Sequence, residues 1–173
     1  MQKLLTALIL PSLTSAPPRN AIVDLRFDTG GDNTQNRALM RSLAAKVPGR
    51  LFLLISPYTF SAGIASAAAL IHDGGSKVTV IGEEVGDRNH WWSEHEPLCL
   101  PFSKACVDRE TGYWDLLRGC AGAPHCYGDQ FDLRVKSMSP QLRAPITAAS
   151  WLAGRDPGLE AIRRELRRSS TKR

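Results

Sequence analysis

No apolar run in the chain approaches the ~18 residues that a membrane-spanning helix requires. The longest are Leu4–Leu10 with Thr6 inside it, Leu51–Ile55, and the small-residue stretch Ala62–Ile71. No membrane span is expected. Cysteine is missing from 145 of the 173 residues, because Cys99, Cys106, Cys120 and Cys126 share a single window of 28. The gaps between them are 6, 13 and 5 residues, so there is no Cys-x-x-Cys knuckle. That weakens a zinc site, although His125 beside Cys126 keeps one open. Confinement to one stretch points instead to two local disulfides and an oxidising, extracytoplasmic (periplasmic or secreted) location. Four reduced structural thiols are the bland alternative. Neither a cofactor nor a metal is expected.

Basic residues are not spread over the chain. Residues 155–173 hold seven Lys/Arg against Asp156, Glu160 and Glu165, so this segment carries +4 of the net +5. No aromatic residues interleave with these charges, which disfavours base stacking. A solvated helix face and tail is the simpler account, and no nucleic-acid partner is expected. With 43% apolar and 23% charged residues the chain can build a core, and 173 residues suit one domain.

Met1–Ala16 combines an early lysine, an apolar run and a small-residue end, as a signal peptide does. Pro11 within the apolar region favours instead a helix that ends before it. Beyond that point the pattern alternates. Ala21–Leu25, Leu51–Ser56 and Val78–Gly82 are short, β-branched or apolar runs that read as buried strands. Thr34–Lys46 has Ala38, Leu39, Leu43 and Ala44 at helical spacing, with Asn33 or Thr34 as N-cap and Pro48-Gly49 as the stop. Ala62–His72 is Ala-rich and ends at Asp73-Gly74-Gly75. Strand–helix alternation predicts βαβ units and a largely parallel sheet. Residues 87–130 lose periodicity and read as a long Cys-bearing loop; Phe131–Val135 reads as a further strand. Pro157–Arg168 reads as a final helix with Asp156 as N-cap and Leu159, Ile162 and Leu166 as its apolar stripe. Residues 168–173 are expected to fray into a disordered tail.

In a parallel sheet the turns Asp28–Asp32 and Tyr58–Gly63 fall at the carboxyl ends of their strands, the edge where such sheets bind ligands. Ser61 stands where a strand feeds a helix, with the Ala62 amide beside it at the helix N-terminus. Gly30-Gly31 is a bare backbone turn whose N–H groups can approach a substrate oxygen. Together these suit a nucleophile and an oxyanion hole. A serine at a helix start is far more often a cap, and Gly-Gly is often just a turn. The segment also misses the G-x-S-x-G elbow, since Thr59 occupies the first glycine position.

Four segments in order resemble one family. Asp24-Leu25-Arg26-Phe27-Asp28-Thr29-Gly30-Gly31 is similar to the D-L-R-x-N-x-G-G element of the tail-specific (C-terminal processing) serine proteases, the S41 peptidases. Thr59-Phe60-Ser61-Ala62 resembles their T-x-S-A-x-E nucleophile segment. Ile81-Gly82-Glu83 resembles the (V/I)-G-E after the next strand, and Gly154–Leu159 the G-x-D-x-x-L start of the last helix. Trp91, Trp92 and Glu94 are similar to an F-W/Y-x-E stretch of related chains. The resemblance implies a ClpP/crotonase-like α/β core with a Cys-bearing loop insertion. It implies Ser61 as nucleophile, with Gly30, Gly31 and Ala62 forming the oxyanion hole. Peptides or unfolded proteins would be the substrates, and homo-oligomerisation stays open.

The chain departs from that pattern in three places. Ile64 stands where the family has Glu. No PDZ adaptor is present, so 1–173 reads as a single core domain that lacks upstream parts. The lysine that serves as base in bacterial members is replaced by Asp87, with Arg88 next; both mark the edge of the substrate site. Arginine stays protonated and cannot be a base. Lys77, at the start of the third strand, is expected at the far end of the sheet. His90 is left as the candidate base, with His95 its neighbour, and the isolated chain is expected to show little peptidase activity. The competing readings are an inactive, peptide-binding relative and, from another class, a crotonase-type acyl-CoA enzyme.

Overall fold

A computed structural model of the chain describes residues 11, 13–87, 89–127 and 133–170. In chain order the elements are β1 (Ala21–Asp24), α1 (Thr34–Lys46), β2 (Leu51–Ile55), α2 (Ala62–Gly74), a 3-10 turn (Gly75–Lys77), β3 (Val78–Gly82), β4 (His90–Cys99), β5 (Cys106–Asp115), β6 (Leu142–Arg143), α3 (Ala148–Leu152) and α4 (Pro157–Ser170). They fall into two compact units, the described residues of 1–86 with 138–173, and those of 87–137.

The first unit is a mixed α/β body built on a parallel sheet of order β1-β2-β3-β6. β2 explains its layering. All five residues of Leu-Phe-Leu-Leu-Ile are buried, so both faces of the central strand are covered. Phe52 and Leu54 join Ile81, Ala161 and Ile162 on one face, where the Leu159/Ile162/Leu166 stripe of α4 lies. Leu51 points the other way, beside Gly74 of α2, which also approaches Ala44 of α1. Arg50 stretches along the sheet, its guanidinium 4.8 Å above the Phe52 ring and paired to Glu165.

Several boundaries differ from the sequence expectation. Pro11 and Leu13–Ser15 are helical, and the Ser15 hydroxyl donates back to the Pro11 carbonyl (3.2 Å), so that helix does not end before Pro11. The residues ahead of Pro11 lie outside the described set. α2 runs through Asp73 and Gly74, and the turn is completed by Gly75–Lys77. Arg168–Ser170 continue α4 instead of fraying, while 171–173 lie outside the described residues. α1 is capped by neither Asn33 nor Thr34: the Asp32 carboxylate accepts the Thr34 amide (3.0 Å) and hydroxyl (2.6 Å). No strand forms at 133–135, and 131–132 lie outside the described residues.

The second unit corrects the largest of these expectations. Instead of an irregular loop it holds an antiparallel hairpin with ten residues in each strand, β4 against β5. Its base is ordered by Trp91 and Trp114, stacked at 5.2 Å and both buried. Residues 125–127 run along β5 through Tyr113 N–H to His125 O and Tyr127 N–H to Tyr113 O. Its tip has no such cover: Leu98, Leu100, Phe102 and Val107 are exposed, Phe102 almost completely at 98%. Cys99–Cys106 closes the tip and Cys120–Cys126 closes the loop after β5. All four thiols are thereby consumed, which leaves no thiolate for a zinc site. No helix among the described residues is long and apolar enough to cross a membrane.

A two-stranded ribbon without a covering layer is marginal in water. Each short-loop bridge is worth about 2–3 kcal/mol. Intact-mass measurement without reductant should therefore read four hydrogens below the reduced mass. Dithiothreitol should accelerate proteolysis within 87–127 while leaving the sheet unit protected. Four alkylatable thiols in protein from an oxidising compartment would contradict this.

Candidate active site

The Ser61 region is assembled from two loops that leave β1 and β2 at the same edge of the parallel sheet. Buried hydroxyls hold them together. The Thr59 hydroxyl, fully buried, donates to the Leu25 carbonyl (2.7 Å) and accepts the Ser56 amide (3.0 Å). The Ser56 hydroxyl donates to the Arg26 carbonyl and accepts the Tyr58 amide (3.1 Å). One turn further on, the Phe60 amide reaches the Asp28 carbonyl (3.0 Å). The loop preceding Ser61 is thus fastened at three points to the strand end that carries Gly30 and Gly31.

Ser61 itself sits at φ 48°, ψ −118°, in the left-handed half of backbone space where side chains rarely go. Holding a serine there costs on the order of 1–3 kcal/mol. Its hydroxyl does not recover that cost as a helix cap, since it accepts no amide of α2. A strained, non-capping serine on a sharp strand-to-helix turn is how α/β hydrolases expose their nucleophile. Thr59 stands at the first glycine position of the G-x-S-x-G elbow, where its hydroxyl fastens the loop.

The surroundings are closely fitted. A β-carbon on Gly30 would stand 2.7 Å from the Ser61 β-carbon and 3.2 Å from the Ala62 nitrogen. Its φ of 112° is also one that only glycine adopts without strain. Gly63 is constrained by proximity: a β-carbon there would lie 2.5 Å from the Asp28 carbonyl oxygen. The backbone of the first loop therefore passes directly over the start of α2.

The amides are not equivalent. The Gly30 N–H donates to the Asp28 carboxylate (3.0 Å), so Gly30 contributes close approach while its own donor is engaged. The Gly31 and Ala62 amides have no acceptor among the described residues and remain available to a substrate oxygen. Ser61 Oγ has no hydrogen-bond partner there either. Lys77 is occupied elsewhere: its ammonium caps α1 through the Ala44 carbonyl and the Val47 carbonyl (3.1 Å). His90 and His95 lie in β4 of the second unit, opposite Asp115 and Glu110. Asp87 opens that unit, and Arg88 lies outside the described residues.

Arg26 is the functional neighbour that the sequence pattern alone did not explain. It is buried and bridges two carboxylates, bonding Asp24 (Nη2 to Oδ2, 2.7 Å) and Asp156 (Nη1 and Nη2, 2.9 and 2.8 Å). The Asp24 hydrogen bonds raise its already high pKa further. The Arg26 guanidinium in turn holds the Asp156 carboxyl below the usual carboxylate range. Asp156 also accepts the Leu159 amide (3.0 Å), so one carboxylate caps α4 and neutralises Arg26. The two halves of this arrangement, D-L-R and G-R-D-P, are legible in the sequence 130 residues apart; their pairing is not. The chain matches no family model and no curated protein.

Replacing Thr59 by Val keeps the shape but orphans the Ser56 amide and leaves the Leu25 carbonyl with the Asp28 amide alone. The expected cost is about 1–3 kcal/mol in denaturant unfolding, with a larger fractional loss of any Ser61 reactivity. Equal stability would show that these bonds do not fasten the loops.

Asp156→Asn keeps a capping side chain and removes the charge. Near neutral pH it should destabilise by about 1–2 kcal/mol, with Asp24 still partnering Arg26. Because the folded pKa of Asp156 is depressed, its contribution is complete above the unfolded value of about 3.9 and fades as pH falls through the folded one. The gap between wild type and variant should therefore close under acid. A gap constant from pH 7 to 2 would contradict the charge pairing.

Proposed function

We propose that the chain is the catalytic core of a serine peptidase of the tail-specific, S41 type, with a ClpP/crotonase-like fold. The observation that carries this reading is the strained backbone of Ser61, whose hydroxyl caps nothing while a glycine loop crosses it. Ser61 Oγ attacks the scissile carbonyl of a peptide or unfolded protein. The Gly31 and Ala62 amides receive the oxyanion, helped by the positive end of α2. Gly30 keeps the second loop close enough for both amides to reach one oxygen. The tetrahedral intermediate collapses by breaking the C–N bond, the departing amine takes the proton given up by Ser61, and water then hydrolyses the acyl-enzyme to free carboxylate and serine. The candidate general base in this reading is His90, an imidazole being the side chain most often used for that step. Two disulfides support an extracytoplasmic setting.

A second reading is favoured by one observation: Lys77, the lysine nearest the motif, is engaged by the Ala44 and Val47 carbonyls. A chain that kept the loops and lost the base would bind peptides without cleaving them.

A fluorophosphonate probe separates the two. Labelling should fall on Ser61 and vanish in Ser61→Ala. Turnover of a casein-like substrate should be weak in wild type and fall several orders of magnitude short of an intact triad. Abolition of that residual turnover in His90→Ala would support His90 as base. A folded chain that resists the probe but binds unfolded peptide would establish the binding reading in its place.

A further inference from the structure

The sheet unit contains a cavity of about 380 Å³ that the chemistry above does not use. Phe27, Ile146 and Trp151 line it together with Arg26, Arg155 and Asp156. Ligand sites run from about 300 to 1,000 Å³, so this one lies at the small end of that range and is ample for one side chain. Phe27 and Trp151 are 66% and 71% exposed, two large rings that the fold leaves in water.

The charges around the cavity are already spent. Arg26 is held between Asp24 and Asp156. Arg155 is paired through two hydrogen bonds to Glu160, at 2.9 and 2.8 Å. An anionic ligand would meet guanidiniums that have carboxylates, and a cationic one would meet carboxylates that have guanidiniums. Apolar ring surface is what remains to recognise a ligand, and it suits a neutral aromatic side chain.

Phe27 links the cavity to the Ser61 loops along the chain. Phe27 precedes Asp28, whose carbonyl fixes Phe60 and whose carboxylate holds Gly30. The Phe27 ring stacks on Tyr58, three residues before Ser61, at 6.3 Å. The chain leaving β1 thus lines the cavity with Arg26 and Phe27 and then forms the Asp28–Gly31 loop that meets Ser61.

We propose that the cavity is a substrate side-chain subsite that takes an aromatic residue, with Phe27 and Trp151 determining specificity. It rests on the reading of Ser61 as a peptide-directed nucleophile, and its test does not need that serine. N-acetyl-phenylalanine amide is titrated into the full chain by ligand-observed NMR, with N-acetyl-glutamine amide and N-acetyl-glutamate as comparisons. The phenylalanine probe should bind best. Trp151→Ala and Phe27→Ser should each weaken it by about tenfold or more, Trp151→Phe should retain most binding, and Ser61→Ala should bind like wild type. Trp151 is solvent-exposed, so an unchanged unfolding midpoint should accompany its loss.

Binding that is indifferent to Trp151→Ala, or equal for the glutamate probe, would overturn the subsite. Failed fluorophosphonate labelling alongside Trp151-dependent binding would overturn the nucleophile and uphold the aromatic site. Labelling at Ser61 with Trp151-indifferent binding would do the reverse.

Discussion

Two buried hydroxyls hold the functional edge of this molecule together. Ser56 and Thr59 sit at the end of the central strand and reach across to carbonyls at the end of its neighbour. Parallel strands end without a shared turn, so the loops leaving them have no covalent reason to stay together. The hydroxyls supply one. Because Thr59 is fully buried, its bonds form away from competing water, and the alternative for the Ser56 amide is an unsatisfied polar group. The position of Ser61 against Gly30 depends on them.

Arg26 extends the same logic to the end of the chain. Its guanidinium lies between one carboxylate from β1 and another at the start of α4, so a helix whose apolar stripe packs under the sheet is also tied electrostatically to the edge that carries the site. Arg26 is buried while both carboxylates keep part of their surface in water, so removing one leaves the guanidinium with a single partner. The Asp156 carboxylate also accepts an amide of the first turn of α4, which fixes where that helix begins. The two carboxylates together offset the guanidinium charge of Arg26 at the cavity beside Phe27.

The parts of the fold that bury residues were legible in the sequence. β2 and β3 are apolar because both faces are covered, and the α4 stripe repeats at helical spacing because it meets a flat sheet. The β4–β5 hairpin was not legible. Much of each strand faces water on both sides, so nothing forces an apolar–polar alternation, and Pro97 adds a misleading turn signal. β6 has two residues and α3 has five with none buried, too few to leave a period. At the site, Ser61, Ala62 and the glycine turn could be picked out from residue type and place. The cap that Asp156 makes on α4 was legible too, but its pairing with Arg26 and the role of Thr59 were not, since each depends on a partner far away in sequence. The engagement of the Gly30 amide by Asp28 was equally hidden, although the two residues are adjacent but one.

Ser61 also places folding and chemistry in opposition. Its backbone torsions are ones that glycine adopts freely, so the chain would hold this turn more comfortably with no side chain there. Random substitution tested only for a well-folded product would drift toward glycine at this position. A population kept for reactivity would retain the hydroxyl and tolerate the strain. The frequency of glycine at position 61 in libraries sorted by folding, against those sorted by turnover, is thus a direct measure of what the serine is for.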